Sequence, residues 1–407
     1  MASEIYMARQ PIYDRSLDVA AYELLFRSGK RNEAGIVGST ESAQAVISSL
    51  IDIGLCELSG ENRAFINVDQ DLLMCSALTL LPQNRIVLEI LETVRPTAEA
   101  VKAVKDLRDS GYIIALDDFE LSPLTQPFLP YASIVKFDVR ASAGNLVKNS
   151  RPFAARKIDL LAEKIESEEE FKKCVKLGFK YFQGYYFSKP EIVKGARIPS
   201  NKVAALRVAA SLQNPEITME QLESAIGADL ALTHRLLKLV SSAHFGLATR
   251  VNSIRQTVMF LGVRTVASVA TLIAMAASSN KPAELSNVAF IRAKMCELLA
   301  AAQGRSGKER YFTTGLLSVI DAMMDLPMSE ILAELSLDND IHEALLDPEA
   351  EGEIADVLRV VLAYEAADFN RIEELSTAQS RVAECYRAAI GWANEMSSSL
   401  GPTAKAA

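Results

Sequence analysis

Two adjacent carboxylates, Asp117 and Asp118, follow the apolar run Ile113-Ile114-Ala115-Leu116. A short run of this kind reads as a strand buried on both faces. Unpartnered carboxylates are too costly for a dry core, so the pair belongs at the strand's mouth, where a divalent cation can neutralise both. A turn-starting Asp pair that caps the next helix is the alternative. The same ending recurs along the first half, where apolar stretches run in turn into Glu23, Asn67, Glu89, Lys136, Glu163 and Gln183. Glu23, Asn67, Glu89, Asp117 and Asp118 supply hard oxygen ligands, which suit Mg²⁺, Mn²⁺ or Ca²⁺ better than zinc. Neighbouring aspartates can bridge two ions in phosphoryl chemistry. Lys136 can orient a water or offset phosphate charge, and Glu163 can act as base or ligand. A mutual Lys136–Glu163 salt bridge is the plainer reading of that pair.

These residues need a scaffold that brings strand ends together. Tyr6–Tyr13 and Val19–Arg27 read as two strands joined by an Asp-Arg-Ser turn. Helical spacing follows over Ser39–Leu58, then the strand Ala64–Asn67, a helical piece near Gln70–Leu80, and Ile86–Glu89 with Glu92 just beyond. Pro96 opens a helix that stops at Gly111, ahead of the Asp117-Asp118 strand. Ser133–Asp138, Ile158–Ile165, a helix over Glu168–Leu177 and Tyr181–Gly184 complete the series. Strands alternating with helices imply a parallel sheet with helical crossovers. If the sheet closes into a TIM-type barrel, functional groups gather at the C-terminal mouth.

Composition sets the outer limits. At 407 residues, with 49% hydrophobic and 23% charged residues, the chain has the make-up of a soluble protein of two or more domains. A net charge of -9 argues against binding a nucleic-acid polymer. The N-terminal segment does not read as a signal peptide, so none is expected, and the most apolar window, Val266–Ala277, is too short to span a bilayer. The five cysteines carry no CxxC pair and read as reduced thiols, which predicts a cytoplasmic protein. With only three histidines, an imidazole-based site is disfavoured.

Read in order, Gln-Pro-Ile at Gln10, Glu-x-Leu-x-Arg at Glu23–Arg27, strand-Asn at Asn67, Glu-x-x-Glu at Glu89–Glu92, Asp-Asp-Phe at Asp117, Lys-x-Asp at Lys136, Ala-Glu at Glu163 and Gln-Gly-Tyr-x-Phe-x-Lys-Pro at Gln183 resemble the EAL family of cyclic di-GMP phosphodiesterases. The resemblance covers roughly residues 1–195. It implies a modified TIM (β/α)8 barrel that hydrolyses cyclic di-GMP to the linear dinucleotide with Mg²⁺ or Mn²⁺ at a two-metal site. By the same resemblance Glu23, Asn67, Glu89 and Asp117 hold one metal and Asp118 helps to hold a second. Lys136 and Glu163 activate water, Gln183 steadies the site, Gln10 and Arg27 contact the nucleotide, and Glu92 anchors the loop after the Asp pair. The chain also departs from the family. The namesake motif reads Glu23-Leu24-Leu25, and the glycines of Asp-Asp-Phe-Gly-x-Gly are replaced in Asp117-Asp118-Phe119-Glu120-Leu121-Ser122-Pro123. Glu163-Lys164-Ile165-Glu166-Ser167 stands where relatives have Glu-Gly-Val-Glu-Thr. The altered frame bears on rate, because misplacing a catalytic group by about 1 Å costs on the order of a hundredfold.

After a short linker the pattern turns helical throughout, from Val203–Leu212 to Ile372–Met396, which predicts an all-α domain over 196–407. The stretch from Asp229 to Gly246, followed by Ser253-Ile254 and Leu261-Gly262, resembles the HDOD family, which has the helical fold of HD phosphohydrolases without their metal ligands. Gly315–Asp321 occupies the place of the His-Asp pair and holds no histidine, so a non-catalytic module is expected. His234 and His244 read as surface or packing residues. Between Asp321 and Glu374 stand sixteen Asp/Glu against two Arg and no Lys, either a solvated acidic face or a docking surface for a basic partner. The resulting expectation is a cyclic di-GMP signalling protein with a degenerate EAL barrel. It would sense or scaffold through a protein partner of its HDOD module, with a homodimer as a candidate assembly, and with weak or no hydrolysis. An active, HDOD-regulated phosphodiesterase is the alternative.

Overall fold

A computed structural model describes residues 5–28, 47, 50, 54–120, 122–141, 146–153, 156–188, 200–240, 253–279, 281–375 and 379–400. The chain divides into two compact units, Met1–Phe187 with Glu365–Asn370, and Ser188–Tyr364 with Arg371–Ala407.

The first unit is a closed eight-stranded barrel in sequential order. Its strands are β1 (Ile5–Tyr13), β2 (Val19–Ser28), β3 (Arg63–Val68), β4 (Ile86–Ile90), β5 (Ile113–Leu116), β6 (Ile134–Asp138), β7 (Asp159–Glu163) and β8 (Tyr181–Phe182). From β2 to β8 neighbours are parallel, whereas β1 runs antiparallel to both β2 and β8. The all-parallel sheet implied by strand–helix alternation is therefore corrected at its first strand. Only the turn Asp14–Asp18 joins β1 to β2, and a parallel crossover needs a dozen or more residues.

Inside the barrel, Ile12, Ala21, Phe65, Val87, Ala115, Ile134 and Leu161 form one buried apolar layer, with Tyr181 packed against it. A second, larger core lies between strands and helices. Two of those helices follow the expected spans closely. Ala98–Asp109 is capped by Thr97, whose hydroxyl accepts the Ala100 amide, and Glu168–Lys176 is capped in the same way by Ser167. The single helix expected near Gln70–Leu80 is instead a turn of α-helix, Gln70–Leu73, and a 3-10 segment, Ser76–Leu80. Of the expected Ser39–Leu58 helix, Ile47 and Leu50 are helical, Leu55–Ser59 forms a short helix, and most of the remainder lies outside the described residues.

The second unit is all-helical among its described residues. Its helix Glu284–Ala302 packs against Lys308–Leu317 and Gln379–Leu400, with Phe290 and Phe312 edge-on to Trp392. The apolar window seen in the sequence is the buried helix Val263–Ala277. No helix among the described residues is long and apolar enough to cross a membrane. The helical pattern is interrupted between Lys308–Leu317 and Ile320–Met324, where Val319 leaves the helical region. The helix Asn339–Leu346, only eight residues long, was not foreseen. His234 is exposed, and His244 lies outside the described residues. Several residues of the acidic stretch pair within this unit, Asp325 with Lys202 and Lys281, Asp338 with Arg264, and Asp340 with Arg310.

Gly315 marks a tight helix crossing in this unit. A Cβ there would lie 2.4 Å from the Arg292 carbonyl oxygen and 2.7 Å from Ala293 Cα, both backbone atoms of the facing helix. Gly315→Ala is expected to destabilise the helical unit by about 1–3 kcal/mol in urea unfolding. Gly391→Ala, where nothing lies within 4 Å, is expected to be neutral or stabilising, because alanine is the better helix former.

Candidate active site at the barrel mouth

Strand alternation builds the site. Each residue of the inner apolar layer has, two positions toward the C-terminal mouth, a polar residue on the same face. Ala21 is followed by Glu23, Phe65 by Asn67, Val87 by Glu89, Ala115 by Asp117, Ile134 by Lys136, Leu161 by Glu163 and Tyr181 by Gln183. On the reversed strand β1 the step runs backward, from Ile12 to Gln10. The registers match, with Gln10 opposite Glu23 and Asn67 opposite Glu89. The Asp117 amide donates to the Ile90 carbonyl at 3.0 Å, and the Gln183 amide to the Ala162 carbonyl at 2.8 Å. Thus both residues are fixed by the sheet although they stand just beyond their strands.

Lys136 is the centre. Its ammonium, 1% exposed, contacts Glu89 Oε1, Glu163 Oε1 at 2.7 Å, Asp117 Oδ1 at 3.3 Å and Glu23 Oε2 at 3.4 Å. The salt bridge with Glu163 weighed from sequence is therefore present, as one of four such contacts. Amides complete the ring. Asn67 Nδ2 donates to Glu23 Oε1 at 3.2 Å, while Gln183 Nε2 donates to Glu23 Oε2 at 2.9 Å and to Gln10 Oε1 at 3.1 Å.

Four carboxylates around one ammonium leave an excess of negative charge. Burial holds Glu89 well above the usual carboxylate range, with Lys136 opposing and Glu23, Asp117 and Glu163 adding to the rise. Glu163 is pushed up to about 7 by burial, against the pull of Lys136 and with Asp117 and Glu23 raising it further. For Lys136, burial alone would lower the pKa, but the surrounding carboxylates win and hold it well above the ordinary lysine value. Lys136 therefore keeps its proton at neutral pH.

The donor set fits a divalent cation. Among the described residues, every buried side-chain oxygen without a hydrogen-bond partner lies here, namely Asn67 Oδ1, Glu89 Oε2, Asp118 Oδ1 and Gln183 Oε1. Asp117, Asp118 and Glu163 can each place a carboxylate oxygen within 4.8 Å of the others. Hard oxygens lacking donors, in a region of surplus negative charge, are what Mg²⁺, Mn²⁺ or Ca²⁺ requires.

The rim is less regular. Asp118 has left-handed backbone, φ 35°, and the following Phe119 amide donates to the Lys136 carbonyl. Phe119 is locked among Phe137 and Phe153. The altered loop closes as a turn in which Thr125 Oγ1 accepts the Ser122 amide at 3.1 Å and the Ser122 carbonyl accepts the Gln126 amide at 3.0 Å. Glu92 sits exposed in the turn after β4, near enough to help raise Asp118 above its ordinary pKa, behind burial and Asp117. The Arg27 backbone pairs with Tyr6 in β2 and its side chain lies outside the described residues. Sequence reasoning gave neither Gly184 nor Lys164 a role of its own. A Cβ on Gly184 (φ 154°) would meet the Ile165 backbone at 2.3 Å. Lys164, directly after Glu163, has φ 56° and bonds Asp138 at 2.6 Å.

The barrel with this mouth, followed by the helical unit, defines an EAL–HDOD protein, and the chain belongs to that family. Residues 2–190 match the EAL domain and residues 198–362 the HDOD domain. It is 34% identical over 379 residues, 91% of this chain and 87% of the relative, to the cyclic di-GMP phosphodiesterase CdgJ of Vibrio cholerae serotype O1. It is 29% identical over 405 residues, 96% of this chain and 98% of the relative, to the uncharacterized protein YuxH of Bacillus subtilis. Among solved structures, the EAL-domain protein YkuI of Bacillus subtilis, in complex with cyclic di-GMP and calcium, is matched over 55% of this chain and 72% of that one, at 20% identity and a TM-score of 0.38.

The electrostatics carry a pH prediction. Glu163 rises from the ordinary 4.5 to about 7 on folding. A raised carboxyl contributes stability that is full below its unfolded pKa and lost as pH rises through the folded one. In chelator, the barrel's unfolding free energy in urea should fall between pH 5 and pH 8 by on the order of 2 kcal/mol, and Glu163→Gln should flatten that slope.

Proposed function

We propose that the barrel is a divalent-metal-dependent phosphodiesterase acting on cyclic di-GMP, with low turnover, and that the helical unit passes its state to a protein partner. The gathering of eight inward polar side chains on one layer of the mouth carries this reading. Support comes from likeness to a relative named for that activity over nine-tenths of the chain. Glu23, Asn67, Glu89 and Asp117 would hold one ion, and Asp118 would border the place that a second ion takes in a two-metal site. Bound there, Mg²⁺ or Mn²⁺ would make water a stronger nucleophile and offset phosphate charge.

The chain's own groups then divide the work. Lys136, permanently charged, holds Glu163 and the ligand carboxylates in place rather than acting as a base. Glu163, near 7, is suited to take a proton from the attacking water at neutral pH. Gln183 holds Gln10 and Glu23 in place. Gln10 and Arg27 would meet the nucleotide, and Glu92 would steady the loop after Asp118. We place the domains at 1–195 and 196–407, a division supported by the spans of the two family matches.

Low turnover follows from the rim, where Glu120 and the Ser122–Thr125 turn replace a flexible glycine loop. One observation favours a second reading, a receptor that binds without cleaving. Lys136 already contacts the carboxylates that a cation would neutralise, so the mouth is partly compensated from within. Incubating the purified protein with cyclic di-GMP and Mn²⁺ or Mg²⁺, following binding and linear product together, separates these readings. Slow product formation that vanishes in Glu23→Ala is expected. Binding with no product makes the barrel a receptor, and neither binding nor product refutes both.

A further inference from the structure

Two residues at the mouth hold left-handed backbone although neither is glycine, Asp118 and Lys164. Each directly follows an acid of the inward layer, Asp117 and Glu163. Left-handed backbone is disfavoured for a residue with a Cβ, but here the Lys164 side chain is held in a specific place. Its ammonium lies 2.6 Å from Asp138 Oδ2 and 3.8 Å from Asp118 Oδ2. Asp138 is itself pinned, because its Oδ1 accepts the Arg140 and Ala141 amides at 2.8 and 2.9 Å. A fixed carboxylate thus keeps a positive charge beside Asp118.

That position is where an ion beyond the first would bind. Asp117, Asp118 and Glu163 bring their oxygens together there, and Asp118 Oδ1 is buried without a hydrogen-bond partner among the described residues. The Lys164 side chain is 56% exposed, so it stays open to solvent and to an anion entering from it. Lys136 cannot serve in this way, being buried and shared among four carboxylates.

We propose that Lys164 stands in for the second cation: the barrel holds one divalent ion per chain, and the Lys164 ammonium supplies the charge beside Asp118 that another ion would bring, meeting a phosphate of the nucleotide. The inference rests on the metal-dependent reading above. A tethered ammonium attracts a phosphate as an ion does but does not ligate and acidify water, so it favours retention of the nucleotide over its cleavage.

Titrating the full-length protein with Mn²⁺, with free ion followed by electron paramagnetic resonance, tests this independently of turnover. Wild type should bind one ion per chain tightly. Lys164→Gly and Lys164→Gln should each strengthen a second ion on the order of tenfold, and Lys164→Arg should not. Glycine relaxes the left-handed backbone whereas glutamine retains its Cβ, so a gain in both variants assigns the effect to charge. A gain in glycine alone overturns the proposal. Calorimetry with cyclic di-GMP at one bound ion should show weaker binding in Lys164→Gln and recovery in Lys164→Arg. Two tight ions in wild type, or no change in either neutral variant, overturns the role of Lys164 and leaves the phosphodiesterase reading standing. Absence of Mn²⁺ binding in wild type overturns that reading and the inference with it.

Discussion

The ammonium of Lys136 sits buried among Glu23, Glu89, Asp117 and Glu163, and the mouth of the barrel is arranged around it. A buried lysine alone would lose its proton, and four buried carboxylates alone would hold theirs. Together they remain charged only in part. Burial and mutual repulsion raise Glu89 and Glu163, while the same carboxylates keep Lys136 protonated. A buried ionic cluster of this sort contributes little to net stability, and removing one partner is costly because the rest are left uncompensated. Its retention at a strand mouth is better explained by chemistry than by folding.

The fold supplies the rigidity such a cluster requires. Below it, the layer from Ile12 to Leu161 fills the barrel and sets the height at which the next inward residues emerge. Outside it, Phe119, Phe137, Phe153 and Phe179 interlock at ring distances of 5.5–6.0 Å and fix the ends of β5 and β6. At β8 the close approach of Gly184 to Ile165 lets Gln183 turn back onto Glu23. Three kinds of packing, in the barrel, between rings and against a glycine, thus position side chains drawn from eight strands.

Much of this was legible in the sequence because the strand period is two. An apolar run ending in Glu89 or Asp117 announces both strand and mouth, and the recurrence from Glu23 to Gln183 announces closure. The reversed β1 was not legible from alternation, since direction depends on the length of the Asp14–Asp18 turn and on closure with β8. The hub role of Lys136 was half legible. Its pairing with Glu163 could be weighed, but its contacts with Glu23 and Glu89 depend on barrel curvature. Lys164 carried no signal beyond its departure from the family's glycine, because a left-handed φ at a lysine leaves no mark on residue type. In the helical unit, periodicity located Val263–Ala277 and Glu284–Ala302, yet the break at Val319 and the short helix Asn339–Leu346 depend on tertiary packing.

On the proposed reading, these side chains form a cation site organised by Lys136. Diffraction from crystals grown with Mn²⁺ and cyclic di-GMP, collected at the manganese edge, tests it most directly. An anomalous peak is expected among Glu23, Asn67, Glu89 and Asp117, with Lys136 drawn toward Glu163. Manganese-free density at the mouth of a nucleotide-loaded barrel, or a peak held by other residues, would contradict it.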